Sequence, residues 1–422
     1  MVDAEHLCMK CMNGYVKYGR CTVCNSPQIT VQELPTALPL RCILNGRYLI
    51  GRMLGAGGFG ITYLGYDLIE NRRIAIKEFM PTGMVRRDAG KTQMQIVSDK
   101  KDFSDSMQRF LEEARMIYHY QKNPHILQIY SLFQENQTAY YIMEFLEGTD
   151  LKHLLKIRGG RMEWSEVKNI TLQVIEALAV LHADGVVHRD ISPDNIFISP
   201  QGKVTLIDFG AARLFMAQKQ LTVILKRKYA PIEQYETRGK QGPWTDIYAL
   251  AATIYHALTG ELPPEATSRA YRDDIKTFRQ CGVDLNEYVE RTLYRALRVE
   301  PEERYRNVVD FRNDLLGIVR RGRLTCLCGI YEGMEVTISD DILVGRNAVL
   351  CQLIYPKEAK GISNMHCKIS TKQPGVCTAI MDMGSTYGTY VNGKKLEKNC
   401  YRKLRPGDEI RFGENQIWRY LN

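Results

Sequence analysis

The chain has 422 residues, a formal net charge of +9 and a hydrophobic share of 45%. This length is typical of about three domains, and the hydrophobic share is sufficient for ordinary cores. No run of about 18 apolar residues is present and no apolar segment follows the acidic N-terminus, which argues against a membrane span and a secretory signal peptide. The 12 cysteines then favour a reducing, cytoplasmic location over a disulfide scaffold.

The N-terminal segment contains two Cys-x-x-Cys knuckles, one at Cys8 and Cys11 and one at Cys21 and Cys24. Each knuckle places two thiolates on one turn, and two such turns close a tetrahedral shell around a structural Zn²⁺ ion. Because the intervening loop holds few apolar residues, the metal would supply most of the folding free energy. We therefore predict a zinc ribbon over residues 1–26. The alternative is a disordered tail with incidental cysteines.

The segment that follows the knuckles has no hydrophobic periodicity. Residues 27–44 include three prolines, Pro27, Pro35 and Pro39, and are predicted to be a linker. The basic residues of the ribbon are too few to predict nucleic-acid binding.

A Gly-x-Gly-x-x-Gly motif, formed by Gly55, Gly57 and Gly60, lies between two β-rich stretches. Glycines let a backbone close over phosphate groups without a Cβ atom in the way. The motif alone is a weak signal, since similar triplets mark dinucleotide-binding turns. It is followed by the alternating stretch Ile74–Lys77, which predicts a strand that ends in a cation.

Residues 188–210 carry the most informative motifs. Asp190 closes a His-Arg-Asp triplet, Asn195 follows five residues later, and Asp208 precedes Phe-Gly. An acidic residue, an amide and a second acidic residue are the groups that phosphoryl transfer from ATP requires. This order and spacing are hard to obtain by chance.

These motifs, with a glutamate in a helical stretch at Glu113 and the strand-like Tyr140–Leu146, resemble the protein kinase family. The resemblance runs from about Tyr48 to Val319 and is closest to bacterial Ser/Thr kinases. It implies an α+β bilobal kinase fold, predicted over residues 45–320, and ATP and Mg²⁺ as the nucleotide substrate and its metal.

The resemblance also implies the roles of individual residues. Lys77 would contact the α- and β-phosphates and pair with Glu113, chosen over Glu112 because the family places Ala or Lys and then Arg after this glutamate. An ordinary surface ion pair is the alternative. Asp190 would orient the substrate hydroxyl and accept its proton. The other implied contacts are Mg²⁺ at Asn195 and Asp208, adenine at the backbone of Glu144 and Leu146, ribose at Asp150, and a gatekeeper at Met143.

Two further contacts implied by the resemblance are structural. Asp246 lies in an apolar helical run that begins at Thr245 and ends before Gly260, and it would accept hydrogen bonds from the catalytic-loop backbone. Arg304 would pair with Glu233.

The activation segment contains one Thr, Ser or Tyr between Gly210 and Tyr229, and this is Thr222. We predict Thr222 as the phosphosite, with Arg189 as the cation that receives the added phosphate. The alternative is that Thr222 is merely exposed to solvent.

Ser192 stands two residues after Asp190, where most Ser/Thr kinases have a lysine that neutralises the γ-phosphate. That lysine usually contacts an activation-segment threonine three residues before a tyrosine, and counting back three residues from Tyr229 gives Lys226. The two side chains are therefore interpreted as exchanged, which makes Lys226 a predicted catalytic residue. The alternative is that Lys226 belongs to a solvated basic run and that Ser192 marks weakened catalysis.

After residue 323 the sequence changes to short strand-like runs separated by turn signals, which is typical of an all-β sandwich. Gly345-Arg346, the Ser363–His366 segment and residues 382–393 resemble a forkhead-associated (FHA) domain, a phosphothreonine reader, predicted over 324–422. Cys326 and Cys328 alternate in one such run and are predicted to face one side of a sheet.

The FHA resemblance implies phosphate contacts at Arg346, Ser363, Asn364 and Thr386, and a loop-bracing role for His366. Tyr387 departs from the family pattern, which usually has asparagine there, so the contact with the peptide backbone is left open. A docking sandwich that no longer reads phosphate is the alternative.

The sequence thus predicts a multidomain protein with a small Cys₄ zinc ribbon, an α+β kinase domain and an FHA-like β-sandwich. The predicted function is Ser/Thr phosphorylation of proteins, with recruitment of phosphothreonine partners or of its own phosphorylated loop. The competing class is a non-catalytic scaffold. The basic charge favours acidic substrates and is not interpreted as nucleic-acid binding.

Overall fold

The computed structural model describes residues 4–209, 213–214, 226–236, 239–318, 322–338, 340–371 and 378–421. The chain forms two compact units, Met1–Arg312 and Asn313–Asn422. Among these described residues, no helix combines the length and the apolar character that crossing a membrane requires.

The first unit begins with a small cysteine-containing ribbon. Its hairpin consists of β1 (Val16–Lys17) and β2 (Arg20–Cys21). Buried Leu7, Met9 and Met12 pack in one cluster with residues of the following sheet. The ribbon therefore shares a hydrophobic core with its neighbour.

An antiparallel sheet with the strand order β3-β4-β5-β6-β10-β9 follows the ribbon. Its strands are β3 (Ile43–Leu44), β4 (Tyr48–Gly57), β5 (Gly60–Asp67), β6 (Arg72–Phe79), β9 (Ile129–Glu135) and β10 (Thr138–Glu144). A separate hairpin of β7 (Val85–Arg86) and β8 (Gln95–Ile96) precedes helix α1 (Lys100–His119). The side chain of Asp99 caps α1 by accepting hydrogen bonds from two backbone N–H groups of its first turn.

The segment predicted as a linker lies along this sheet. The Gln32 amide donates to the carbonyls of Leu38 and Gly51 at 3.0 and 2.9 Å, and it accepts from the Met53 N–H at 3.0 Å. Buried Leu38 donates its N–H to the Tyr63 hydroxyl at 3.0 Å. These bonds fix residues 27–44 against β4 and β5.

The second lobe of this unit is mainly helical. Its helices are α2 (Leu151–Ile157), α3 (Trp164–Ala183), α4 (Pro243–Thr259), α5 (Ala266–Tyr271) and α6 (Glu287–Ala296). Helix α7 (Val308–Leu315) begins in this unit and includes the boundary at Arg312. The short strands of the lobe are β11 (Thr149–Asp150), β12 (Val186–Val187), β13 (Ile196–Ile198), β14 (Val204–Leu206) and β15 (Arg213–Leu214). The catalytic-loop motif joins β12 to β13.

Helix α4 confirms the predicted apolar helix. Nearly all of its side chains are buried, and it ends at Gly260, whose φ of 74° is the left-handed conformation that favours glycine. The predicted pair of Arg304 and Glu233 is also confirmed, since the guanidinium lies 2.9 Å from the carboxylate and both groups are buried. Thr245 of α4 donates to the same carboxylate at 2.8 Å.

The second unit contains two β-sheets around one core. The first sheet has the order β17-β16-β26-β25-β22-β23 and the second has the order β19-β18-β20-β21-β24. The strands are β16 (Gly322–Cys328), β17 (Glu335–Ile338), β18 (Ile342–Gly345), β19 (Leu353–Ile354), β20 (Cys367–Ser370), β21 (Ala379–Asp382), β22 (Thr389–Val391), β23 (Lys394–Lys395), β24 (Tyr401–Lys403), β25 (Glu409–Phe412) and β26 (Gln416–Leu421). Buried Leu324 and Trp418 from the first sheet pack with Val344 and Ile369 from the second.

The prediction that Cys326 and Cys328 face one side of a sheet was wrong. Cys326 is buried, whereas Cys328 is exposed. A β-bulge lies between them, because Cys326 pairs with Trp418 and Cys328 pairs with the adjacent Ile417. The extra residue in the bulge breaks the two-residue alternation of side chains.

Candidate active site

The glycine motif forms a hairpin in which Gly57 pairs with Gly60. A Cβ atom at Gly60 would lie 2.1 Å from the Glu78 carbonyl oxygen, so the close approach of β6 requires glycine there. At Gly55 and Gly57, a Cβ atom would have no described heavy atom within 4 Å. The loop therefore packs closely against β6 at Gly60, and space is free beside Gly55 and Gly57.

Lys77 projects from β6 toward two carboxylates. Its Nζ atom lies 3.7 Å from Glu113 Oε1 on α1 and 3.8 Å from Asp208 Oδ1. Burial by itself would lower the pKa of Lys77, but Tyr141, Glu113 and Asp208 raise it well above the ordinary value. Glu112 instead accepts a hydrogen bond from Gln108 on the helix surface. The lysine is therefore held as a cation, with Glu113 as its glutamate neighbour.

Asp246 fixes the backbone of the catalytic loop. Its carboxylate accepts the N–H groups of His188 and Arg189, each at 2.8 Å, which confirms the predicted contact. His182 lies at 2.8 Å from the same carboxylate. Burial alone would raise the pKa of Asp246, but these hydrogen bonds lower it below its usual range.

Asp190 and Asn195 meet across a turn of 3₁₀ helix at Pro193–Asn195. The Asn195 amide donates to the Asp190 carbonyl at 2.8 Å and to Asp190 Oδ2 at 2.7 Å. Burial raises the pKa of Asp190, and Lys226 and the Asn195 amide oppose that shift. The carboxylate is thereby oriented by a neutral donor.

Two residues of the site adopt a left-handed backbone that non-glycine residues rarely take. Arg189 has a φ of 69° and Asp208 has a φ of 62°. Such conformations cost of order 1–3 kcal/mol and cluster at functional sites. The Gln234 amide stabilises the conformation of Arg189 by donating a hydrogen bond to the Arg189 carbonyl at 2.8 Å. Gln234 could not be predicted from the sequence, because no motif marks this long-range contact.

Lys226 reaches the catalytic loop from the activation segment. Its Nζ atom donates to Ser192 Oγ at 2.8 Å and lies 3.1 Å from Asp190 Oδ2. The predicted phosphosite Thr222 and the Gly210 of the Asp-Phe-Gly motif lie outside the described residues.

The residues predicted to contact adenosine lie at the end of β10 and the start of α2. The Glu144 N–H donates to the Gln128 carbonyl at 3.0 Å, and Met143 is buried at the preceding position. Leu146 follows, partly exposed. The Asp150 carboxylate caps α2 through the His153 N–H at 2.8 Å, and its other oxygen lies 2.7 Å from His153 Nδ1.

The four cysteines of the two knuckles converge. Their Sγ atoms all lie within 4.8 Å of one another. Cys8 and Cys24 are 3.9 Å apart, and Cys11 and Cys21 are 3.6 Å apart. A tetrahedral zinc with Zn–S bonds of about 2.3 Å gives sulfur–sulfur edges of about 3.8 Å, so the cluster fits this metal.

One knuckle is attached to the strand that leads into the glycine hairpin. The Arg52 N–H donates to the Met9 carbonyl at 2.9 Å, and its Nε atom donates to the Lys10 carbonyl at 2.9 Å. At Gly51, a Cβ atom would lie 2.9 Å from the Met9 oxygen. Only glycine permits this approach of the ribbon to β4.

In the second unit, Arg346 follows β18 and lies beside the Ser363–His366 loop. Its N–H approaches the carbonyls of Ser363 and Asn364 at 3.1 Å. Its Nη2 atom donates to the Ala359 carbonyl at 2.7 Å, while its buried Nε has no acceptor among the described residues. A buried, unmatched N–H donor on a guanidinium is suited to an incoming anion.

The neighbouring loops complete this site. Ser363 Oγ accepts the Thr386 N–H at 3.1 Å. The Ser363 N–H donates to His366 Nδ1 at 3.2 Å, and His366 Nε2 donates to the Gly388 carbonyl at 3.3 Å, which confirms the predicted brace. Burial lowers the pKa of His366 and so favours the neutral ring. Asn364 and Tyr387 are exposed beside these contacts.

Asp382 shapes the same loop and was missed from the sequence. Its carboxylate accepts the N–H groups of Gly384 and Ser385 at 3.0 Å and the Thr389 hydroxyl at 2.7 Å. Burial would raise the pKa of Asp382, but these donors lower it. Its position two residues before a Gly-Ser turn was the available signal.

Comparison with known proteins agrees with this geometry. Residues 48–330 match the protein kinase domain family. The chain belongs to the protein kinase family. Residues 342–413 match the FHA domain family. These matches confirm the predicted kinship and the multidomain fold class. A protein kinase domain uses ATP with Mg²⁺ and acts on proteins, and an FHA domain binds phosphopeptides.

Relatives of this kinase domain occur in several bacteria. Serine/threonine-protein kinase F of Synechocystis sp. is 27% identical over 307 residues, which are 71% of this chain and 60% of the relative. PrkC of Bacillus subtilis is 29% identical over 282 residues, which are 64% of this chain and 40% of PrkC. Pkn1 of Myxococcus xanthus is 31% identical over 316 residues, which are 72% of this chain and 41% of Pkn1. The chain spans less than two thirds of the length of each.

A solved structure titled "PpkA-294 apo form" is similar to part of this chain. It has 33% sequence identity and a TM-score of 0.60, and the match covers 66% of this chain and 99% of that one.

Proposed function

We propose that the protein is an active Ser/Thr protein kinase that transfers the γ-phosphate of Mg-ATP to protein hydroxyl groups. The observation that carries this proposal is the convergence of the predicted catalytic groups in one site. Lys77 lies near Glu113 and Asp208, and Asp190 is hydrogen-bonded to Asn195. This arrangement has the parts that position and neutralise a transferring phosphoryl group.

Asn195 and Asp208 would hold Mg²⁺. The Asn195 nitrogen is committed to Asp190, so its carbonyl oxygen is the atom left for a metal. Carboxylate and amide oxygens are ligands that Mg²⁺ prefers. The bound ion would neutralise charge on the phosphates.

The nucleotide would lie between the glycine hairpin and the segment around Glu144. Gly55 and Gly57 leave room for phosphates, while the backbone of Glu144 and Leu146 would bind adenine. Both carboxylate oxygens of Asp150 contact His153, so a ribose contact would have to share one of them.

The kinase proposal can be tested by incubating the full chain with Mg-ATP and locating phosphosites by mass spectrometry. Phosphorylated Ser or Thr should appear in the wild type and be absent from Asp208→Asn. A scaffold that only binds is the competing function, and Ser192 is the observation that favours it. Unmodified wild-type protein that still binds Mg-ATP would support the scaffold.

Phosphorylation is expected first at Thr222. An added phosphate there would be received by Arg189, beside the catalytic aspartate. We expect Thr222→Ala to lower the rate of substrate phosphorylation by about tenfold and to remove the main phosphosite, as measured by initial rates and peptide mapping. A variant as active and as heavily modified as the wild type would identify Thr222 as merely exposed.

The second unit would bind phosphothreonine proteins, or the chain's own phosphorylated loop. The buried Nε atom of Arg346 supports this role, since a phosphate oxygen would supply the acceptor missing among the described residues. Ser363, Thr386 and Asn364 would add neutral donors around the phosphate.

The same proposal includes a reducing, cytoplasmic location and four segments of the chain. Their bounds are 1–26 for the ribbon, 27–44 for the linker, 45–320 for the kinase domain and 324–422 for the FHA domain. None of the described cysteines forms a disulfide bond, which agrees with that location.

The cysteine cluster would hold one structural Zn²⁺ ion. Four thiolates leave no open position for catalysis. Removing the ion should lower the unfolding temperature of the first unit, because the ribbon shares a core with β4 and β5. We expect about one zinc per chain by metal analysis, and loss of both zinc and thermal stability in Cys8→Ser with Cys11→Ser. Exposed Cys400→Ser is the matched control. Full stability of the metal-free chain would contradict this site.

A further inference from the structure

The Lys226 ammonium contacts two residues of the catalytic loop. It donates to Ser192 Oγ at 2.8 Å and is 3.1 Å from Asp190 Oδ2. Its side chain is 32% exposed and that of Asp190 is 24% exposed, so the pair is partly shielded and still open to a substrate. A cation therefore sits against the carboxylate that would receive the substrate proton.

The neighbours of Lys226 face elsewhere, which argues against a uniformly solvated basic run. Lys228 forms a surface ion pair with Glu265 at 3.8 Å. Arg227 is exposed, and its backbone carbonyl accepts a hydrogen bond from the Tyr235 hydroxyl at 2.9 Å. Among the ion pairs of the described residues, that of Lys226 joins this segment to the catalytic loop, whereas that of Lys228 does not.

The backbone at Lys226 is fixed by a turn. Its carbonyl accepts the N–H groups of Tyr229 and Ala230 at 2.8 and 3.2 Å. The Tyr229 hydroxyl lies 2.8 Å from His256 Nδ1 on α4, and Ala230 is buried. The lysine thus projects from an anchored position, which reduces the entropy lost when it binds an anion.

We propose that Lys226 and Ser192 have exchanged the places usual for a lysine and a hydroxyl, and that Lys226 is a catalytic residue that binds the transferring γ-phosphate. The proposal rests on the kinase function proposed above. In the reaction, the substrate hydroxyl oxygen bonds to the γ-phosphorus, the bond to the β–γ bridging oxygen breaks, the hydroxyl proton passes to Asp190, and ADP leaves. Lys226 would stabilise the negative charge on the equatorial oxygens.

Catalysis by Lys226 is tested by comparing Lys226→Ala and Lys226→Met with Lys228→Ala. Removing one electrostatic contact of the transition state typically costs roughly 10²–10³-fold in kcat. We expect about that loss in both Lys226 variants, with the Kd of Mg-ATP within about twofold of the wild type and normal thermal unfolding. In Lys228→Ala, kcat and the Kd of Mg-ATP should both stay within about twofold of the wild-type values, because the ion pair of Lys228 is at the surface.

The exchange itself is tested by restoring the usual arrangement. The double variant Ser192→Lys with Lys226→Thr should have a kcat at least about tenfold higher than that of Lys226→Thr alone. Equal, mild effects of the Lys226 and Lys228 variants in an active enzyme would overturn the catalytic role and leave the kinase assignment standing. Failure of the double variant to regain activity, while it still folds and binds Mg-ATP, would overturn the exchange. A wild type without transferase activity would instead contradict the proposed function.

Discussion

Replacing Asp190 by alanine is expected to lower the turnover number by at least ~10³-fold while the affinity for Mg-ATP stays nearly unchanged. The side chain is oriented by Asn195 at 2.7 Å and lies 3.1 Å from Lys226, so its removal disrupts the positioning of the substrate hydroxyl. A loss of this size corresponds to about 4 kcal/mol of transition-state stabilisation.

The measurement for this prediction is kcat at saturating ATP and protein substrate, with nucleotide affinity determined separately by calorimetry. Asp194→Ala is the matched control, because Asp194 lies in the same loop but pairs at 2.8 Å with Lys152 on the surface. It should retain turnover within a few-fold, as exposed ion pairs contribute little. Equal rates for wild type and Asp190→Ala would exclude the assigned role.

Replacing Arg346 by alanine is expected to weaken binding of a phosphothreonine peptide by about 100-fold or more. Truncating one partner of a buried, charge-assisted contact costs roughly 2–5 kcal/mol. The guanidinium is held by the Ala359 carbonyl at 2.7 Å, and its buried Nε is available to a phosphate oxygen. The unphosphorylated peptide should bind far more weakly than its phosphorylated form.

This prediction is checked by titrating the full chain with a peptide and its phosphothreonine form and following fluorescence anisotropy. Exposed Arg419→Ala serves as the control for a general loss of positive charge. If the wild type bound the two peptides with equal affinity, the domain would be a docking sandwich and not a phosphothreonine reader. Tyr387, which is 54% exposed, would then be the residue to examine for a different ligand preference.

Much of the kinase fold could be predicted because phosphoryl transfer fixes the spacing of its residues. The Gly-x-Gly-x-x-Gly hairpin, the strand ending near Lys77 and the apolar helix α4 all follow from local patterns. In the sandwich, strand β25 (Glu409–Phe412) follows from alternation and from the turn residues that mark its ends. The position of Lys226 beside Ser192 could be anticipated by counting from Tyr229.

The remaining features depend on contacts between residues distant in the sequence. Gln32 ties residues 27–44 to β4, although that stretch has the composition of a linker. The bulge beside Cys328 is set by its pairing with β26 and leaves no pattern in β16. The two-residue strands β19 and β23 are too short for a periodic signal.

The most direct test of the central claim is the initial rate of γ-phosphate transfer from labelled ATP as Mg²⁺ is varied, measured on wild type and Asp208→Asn. Asp208 lies 3.8 Å from Lys77 and is proposed to bind the metal. The kinase assignment predicts Mg²⁺-dependent label on Ser or Thr in the wild type and a loss of at least ~10³-fold in the variant. Equal rates in both proteins, or no transfer by folded wild type that binds Mg-ATP, would contradict it.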